Sequence, residues 1–140
     1  MIVEGGAALD ELLVRSRTIA VVGASPNPAR PSHDVFRCLS AMGRFEVAPV
    51  NPGVASIDGV AAYRSLQAYA TDRGAPDIVD VFRRVSEAPD VARAAIAVGA
   101  KAIWFQYGVV NEEAIALADA AGLDVVVDRC LKIEAARLPR

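Results

Sequence analysis

The chain has 140 residues, of which 54% are hydrophobic and 23% charged, and its formal net charge is −2 at pH 7. This length suits one domain with a core that needs neither metals nor disulfides, and the apolar composition suits a sheet covered on both faces. The charge excludes a general attraction to nucleic acid or membrane surfaces, and no apolar run reaches the roughly 18 residues of a membrane span.

Strand and helix signals alternate along the whole sequence. The first half predicts a helix over residues 9–17, a strand over 18–23, a helix that Pro31 and Ser32 begin and Gly43 ends, and a strand over 44–50. Pro49 cannot donate a ladder hydrogen bond, so it is expected at the end of its strand. Residues 54–76 are less periodic and predict only a short strand over 60–63 and a helical turn over 66–70.

The second half is more regular. It predicts strands over residues 77–82, 102–106 and 124–128, and a closing helix over 131–137. Between the strands lie a helix that Ser86 caps and Gly99 ends, and a helix that begins at Asn111 and ends at Gly122. This repeated βα unit predicts a single α/β domain with a Rossmann-like, doubly wound parallel sheet of five or six strands and helices on both faces.

Parallel sheets bind ligands beyond the carboxyl ends of their strands, where the strand order reverses. The expected order places the first strand between the second strand and the strand over residues 77–82, so the loops after these strands border the site. The first loop reads Gly23-Ala24-Ser25 and precedes a helix. Glycine permits close backbone approach, Ser25 adds a hydroxyl, and a helix N-terminus favours anions. A ligand that carries phosphate is therefore expected.

The first loop departs from the dinucleotide fingerprint, because residues 23–28 lack its second and third glycines. An NAD site also expects an acidic residue after the second strand, where this chain has the neutral Asn51. The rim is instead expected to be basic, with Arg30, Arg37, Arg83 and Arg84. This pattern suits a ligand with several phosphates better than NAD.

Seven short motifs then point to a known family. They are Val22-Gly23-Ala24-Ser25, Arg30-Pro31-Ser32, Pro49-Val50-Asn51-Pro52, Asp80-Val81-Phe82-Arg83, Gly99-Ala100-Lys101, Trp104-Phe105-Gln106-Tyr107-Gly108 and Val127-Asp128-Arg129-Cys130. Together, over about residues 10–138, the chain resembles the small bacterial and archaeal CoA-binding proteins. Their fold is similar to the nucleotide-binding domain of the succinyl-CoA ligase alpha subunit. Tyr107 stands where many relatives have an aliphatic residue.

The resemblance implies that coenzyme A, free or acylated, is the ligand and that the whole chain is one CoA-binding domain. The implied phosphate contacts are the backbone of Gly23, Ala24 and Ser25 with the side chains of Arg30 and Ser32. The adenosine is implied to lie beside Asn51 and Pro52. The pantetheine arm is implied to follow Val81, Phe82 and Arg83, with Gln106, Tyr107 and Gly108 beside it.

Catalysis is not expected, since the sequence suggests no Ser-His-Asp set, metal cluster or paired acid and base in the cleft. Two alternatives stay open: an NADP-dependent oxidoreductase subunit, and a regulatory or assembly protein with a vestigial pocket. Cys130 is interpreted as a buried strand-end residue beside an Asp128–Arg129 pair, with a mixed disulfide to CoA as the alternative. Two cysteines and no export signal predict a cytoplasmic protein, whose partner would be a second copy or an unknown protein.

Overall fold

Five parallel strands run through the middle of the protein, for which a computed structural model describes residues 1–139. The elements follow in the order α1 (Gly6–Arg15), β1 (Thr18–Val22), α2 (Pro31–Ala41), β2 (Glu46–Val50), β3 (Ser56–Ile57), β4 (Val60–Ala61), α3 (Leu66–Arg73), β5 (Ile78–Val81), α4 (Ala88–Ala97), β6 (Ala102–Phe105), α5 (Glu112–Ala120), β7 (Asp124–Val127) and α6 (Leu131–Ala136). The sheet order is β2-β1-β5-β6-β7. The predicted Rossmann-like fold is confirmed, with five strands and with β1 between β2 and β5.

Helices cover both faces of the sheet. On one face, α1, α2 and α6 bury a cluster around Leu12, Phe36 and Trp104. On the other face, α3, α4 and α5 pack over a second cluster around Val79 and Phe105. Trp104 and Phe105 alternate along β6 and are both fully buried, as strand periodicity requires. No helix within residues 1–139 is both long enough and apolar enough to cross a bilayer.

The region after β2 differs from its prediction. Strands β3 and β4 form a separate antiparallel hairpin, so residues 60–63 do not add a sixth strand to the main sheet. Tyr63 makes one isolated parallel bridge to Val50 at the edge. The hairpin is anchored by the buried Ile57 and by His33, whose Nε2 lies 3.2 Å from the Asp58 carboxylate.

Two local predictions have different outcomes. Pro49 is the next-to-last residue of β2, near the strand end as predicted. Its carbonyl accepts from Tyr63 on the outer side, so its nitrogen also faces the sheet edge and no ladder bond is lost. Ser86 does not cap α4, because a 3₁₀ turn over Val85–Glu87 precedes the helix and its N-cap is Glu87. By contrast, Asn111 caps α5 as predicted, since its side chain accepts from Ala114 N–H.

Candidate functional site

A cavity of about 820 Å³ opens at the carboxyl ends of the strands, between the loops after β1 and β5. This is the point where the strand order reverses, as expected for a ligand site in a parallel sheet. The lining residues are Gly23, Ser25, Arg30, Pro31, Ser32, Val35, Asn51, Phe82, Arg83, Arg84, Glu87, Gln106, Tyr107, Val109 and Cys130. The volume lies within the range of about 300–1,000 Å³ that is typical of small-molecule sites.

Thirteen residues were predicted to bind the ligand, and nine of them line this one cavity: Gly23, Ser25, Arg30, Ser32, Asn51, Phe82, Arg83, Gln106 and Tyr107. The other four do not line it. Ala24 is fully buried, Val81 packs in the core on the opposite face, Pro52 is exposed, and Gly108 is an exposed turn residue. The N–H of Gly108 donates to the Asp128 carboxylate over 2.9 Å.

The loop after β1 is tied to the start of α2. The backbone N–H of Ser25 donates to the Ser32 hydroxyl over 3.1 Å, and the Ser25 hydroxyl accepts from the N–H of Asn27 over 3.1 Å. The N–H of Gly23 is also occupied, because it donates to the Val50 carbonyl over 2.9 Å. In this arrangement the N–H groups of Gly23 and Ser25 are not free for phosphate, contrary to the predicted cradle.

Other donors remain beside the same loop. Ser25 and Ser32 each use their hydroxyl oxygen as an acceptor and keep the hydroxyl proton to donate. The N–H of Ser32, at the second position of α2, is one of the groups that a helix start leaves without an intrahelical partner. Two hydroxyls and a helix N-terminus are therefore available here to bind an anion.

Three arginines and one glutamate give the cavity a net positive lining. Arg83 is partly neutralised, since its Nε lies 3.4 Å from the carboxylate of Glu87, four residues later in the chain. The side chains of Arg30 and Arg84 form no ion pair or hydrogen bond within residues 1–139 and are exposed to solvent. Arg37 does not line the cavity, although it was expected near the rim, and it lies 3.8 Å from Asp34.

Asn51 closes the side of the cavity next to β2. Its Nδ2 donates to the Ala24 carbonyl over 2.8 Å and its Oδ1 accepts from Gly53 N–H over 2.8 Å. The side chain therefore joins the loops after β1 and β2. The position where an NAD site needs a carboxylate holds a neutral amide that is already engaged.

The cavity also has apolar lining residues, and a buried acid lies behind one of its polar lining residues. Val35, Val109 and Cys130 line the cavity, together with the nearly buried Gln106. The Nε2 of Gln106 donates to Asp80 Oδ1 over 2.6 Å, and Asp80 is completely buried. Burial raises the pKa of Asp80 to about 8, although the hydrogen bond from Gln106 opposes the shift.

Sequence reasoning did not place five of the lining residues in the site: Pro31, Val35, Glu87, Val109 and Cys130. Helical spacing does not indicate Glu87 as a partner of Arg83, because Arg83 lies outside any helix. The predicted Asp128–Arg129 pair is wrong, because Arg129 Nη1 instead lies 3.0 Å from Glu134. Cys130 begins α6 and lines the cavity, where the mixed-disulfide alternative requires a thiol.

The parallel sheet and its cavity define a Rossmann-like α/β protein with a basic cavity at the switch point of the strand order. The chain belongs to the CoA binding domain family, whose sequence model matches residues 17–136.

Individual proteins support this assignment. The uncharacterized protein YneT of Bacillus subtilis is 41% identical over 127 residues, which is 91% of each chain. A hypothetical protein from Pyrococcus horikoshii OT3 has a solved structure that is 37% identical, with a TM-score of 0.86 over 94% of this chain and 89% of that one. A dinucleotide-forming acetyl-coenzyme A synthetase of Ca. Korarchaeum cryptofilum is 25% identical, with a TM-score of 0.70 over 84% of this chain but 27% of that one.

Proposed function

We propose that this protein binds coenzyme A or an acyl-CoA in the cavity at the switch point, without chemistry of its own. The observation that carries the proposal is that one cavity combines donors for phosphate with apolar lining. It is lined by Arg30 and Arg84, whose side chains have no partner within residues 1–139, by the hydroxyls of Ser25 and Ser32, and by Val35 and Val109. CoA needs both kinds of contact, because it carries several phosphates as well as a pantetheine arm.

The proposal gives each predicted lining residue a role in binding CoA. Arg30 would form charge-assisted hydrogen bonds to phosphate, and the hydroxyls of Ser25 and Ser32 would add donors beside it. Asn51 borders the adenosine, with Pro52 outside the cavity wall. Phe82 and Arg83 flank the pantetheine arm, which then reaches Gln106 and Tyr107.

Binding without catalysis is part of the proposal. The single histidine, His33, does not line the cavity and is paired with Asp58 instead. The chain spans about a quarter of the similar acetyl-coenzyme A synthetase, so the proposal does not carry over the activity of that whole enzyme.

NADP is the alternative ligand of a different class. Arg30 or Arg84 could contact its 2′-phosphate, but the engaged amide of Asn51 offers no carboxylate to ribose hydroxyls. A vestigial pocket in a regulatory or assembly protein is the other alternative. Two exposed arginines without partners in the described part of the chain argue against it, because such charges contribute little to stability. A cytoplasmic location and a homodimer remain predictions.

The experiment that tests the proposal is calorimetric titration of ligand-stripped protein with CoA, acetyl-CoA, NAD and NADP. Saturable binding of CoA or acetyl-CoA, with no response to the nicotinamide cofactors, is expected. Binding of NADP alone would overturn the proposal in favour of an oxidoreductase subunit. Absence of binding to all four would favour the vestigial pocket and a protein partner.

A further inference from the structure

Asp80 is a buried acid behind the cavity lining, and its contacts do not explain a role for it in the fold. Asp80 lies on β5, the central strand of the sheet, between Val21 of β1 and Trp104 of β6. Its side chain is 0% exposed. Within residues 1–139, Asp80 Oδ2 is the one fully buried side-chain nitrogen or oxygen without a hydrogen-bond partner. A buried oxygen left without a hydrogen bond destabilises the fold, so an apolar residue would serve the core better.

The one hydrogen bond that Asp80 makes leads to the cavity. Asp80 Oδ1 accepts from Gln106 Nε2 over 2.6 Å, and Gln106 is a lining residue at the carboxyl end of β6. A carboxamide has its donor and acceptor on opposite branches, so fixing Nε2 on Asp80 fixes Oε1 as well. Gln106 Oε1 accepts no hydrogen bond within residues 1–139, and this oxygen is not fully buried. The group offered to the cavity is therefore an acceptor.

We propose that Asp80 is a positioning residue for ligand binding, which holds Gln106 so that its side-chain carbonyl accepts an amide N–H of the pantetheine arm. The inference rests on the proposed function, because the arm of CoA carries two such amide donors. Asp80 touches no ligand itself and acts through the orientation of Gln106.

The protonation of Asp80 is compatible with this arrangement. Burial raises the pKa of this carboxyl to about 8, and no neighbouring cation lowers it. Near neutral pH the group is thus mainly an uncharged acid, whose proton lies on Oδ2 because Oδ1 accepts from Gln106. An uncharged acid needs no counter-ion in the core, yet it still supplies the acceptor that orients the amide.

The test is a double-mutant cycle with two ligands. Asp80→Val, Gln106→Leu and the double variant are titrated with CoA and with adenosine 3′,5′-bisphosphate, which has no pantetheine arm. Each single substitution is expected to weaken CoA binding about five- to tenfold. The double variant should bind CoA no more weakly than Gln106→Leu alone, and the affinity for the bisphosphate should not change.

Asp80→Asn is the matched control, because its Oδ1 can still accept from Gln106, and it should retain CoA affinity within about twofold. Asp80→Ala replaces the valine variant if valine does not fold. Unchanged CoA affinity in the apolar variants, additive losses in the cycle, or equal losses for both ligands would overturn the inference while the proposed function stood. Absence of CoA binding by the wild-type protein would overturn both.

Discussion

The backbone of Gly23 lies so close to the carbonyl oxygen of Phe82 that a Cβ atom at position 23 would stand 2.0 Å from it. The contact joins the loop after β1 to the loop after β5, the two sides of the switch point. Gly23 also has a φ of +88°, a backbone conformation that residues with a side chain rarely adopt. The glycine therefore shapes the cavity by allowing two backbones to meet, in addition to any approach it permits to phosphate.

Gly23→Ala is expected to destabilise the protein and to weaken CoA binding. The methyl group must displace the Phe82 carbonyl and accept a left-handed backbone, so a loss of about 2–4 kcal/mol in the free energy of unfolding is expected. Urea denaturation measures it. Gly43→Ala is the matched control, since Gly43 has a φ of +70° but nothing within 4 Å of its Cβ position. It should lose only about 1 kcal/mol, and equal losses at both positions would show that the Phe82 contact is unimportant.

Arg30→Ala is expected to weaken CoA binding by about 10- to 100-fold, because charge-assisted hydrogen bonds to phosphate are lost. Its thermal stability should not change, since the exposed Arg30 side chain makes no hydrogen bond or ion pair within residues 1–139. Calorimetric titration gives the affinities of both proteins. Arg37→Ala removes an exposed arginine of α2, the helix that follows Arg30, and this arginine contacts Asp34 rather than lining the cavity. If it weakened CoA binding as much as Arg30→Ala, Arg30 would act only through overall charge.

Local signals predicted the scaffold because they depend on neighbours in sequence. The Asn111 cap marked the start of α5, the glycines after three helices marked where those helices end, and the parallel order predicted where a site would lie. Features that depend on distant contacts could not be read in the same way. Pro49 is tolerated because its nitrogen faces the outer edge of the sheet, where its carbonyl accepts from Tyr63. The role of Asp80 depends on Gln106, which follows the neighbouring strand β6. Ser86 failed as a cap because a 3₁₀ turn, which periodicity does not reveal, precedes α4.

Bound CoA is expected to protect Cys130 from alkylation and to leave Cys38 unaffected. Cys130 lines the cavity, whereas Cys38 is a half-buried residue of α2 outside it. At a CoA concentration ten times its dissociation constant, about one site in ten is free, so alkylation of Cys130 by N-ethylmaleimide should slow about tenfold. Mass spectrometry of peptides with each cysteine gives both rates in one sample. Protection of both residues would indicate a general stabilisation, and protection of neither would place CoA elsewhere.

The buried acid behind the cavity lining also predicts how stability changes with pH. The pKa of Asp80 is about 8 in the folded protein against 3.8 for the unfolded chain. Between these values the folded state holds a proton that the unfolded state has lost. The contribution of Asp80 to the free energy of unfolding therefore falls as pH rises, by up to about 1.4 kcal/mol for each pH unit.

Asp80→Asn isolates this contribution, because asparagine does not titrate while every other group is shared with the wild type. Urea denaturation at several pH values between 5 and 9 measures the difference in unfolding free energy. The difference should shift in favour of the variant as pH rises toward about 8, and should then level off. A difference independent of pH would mean that Asp80 is already ionised in the folded protein. In that case the buried charge would be held by the hydrogen bond from the neutral amide of Gln106, with no charged group contributing to its pKa.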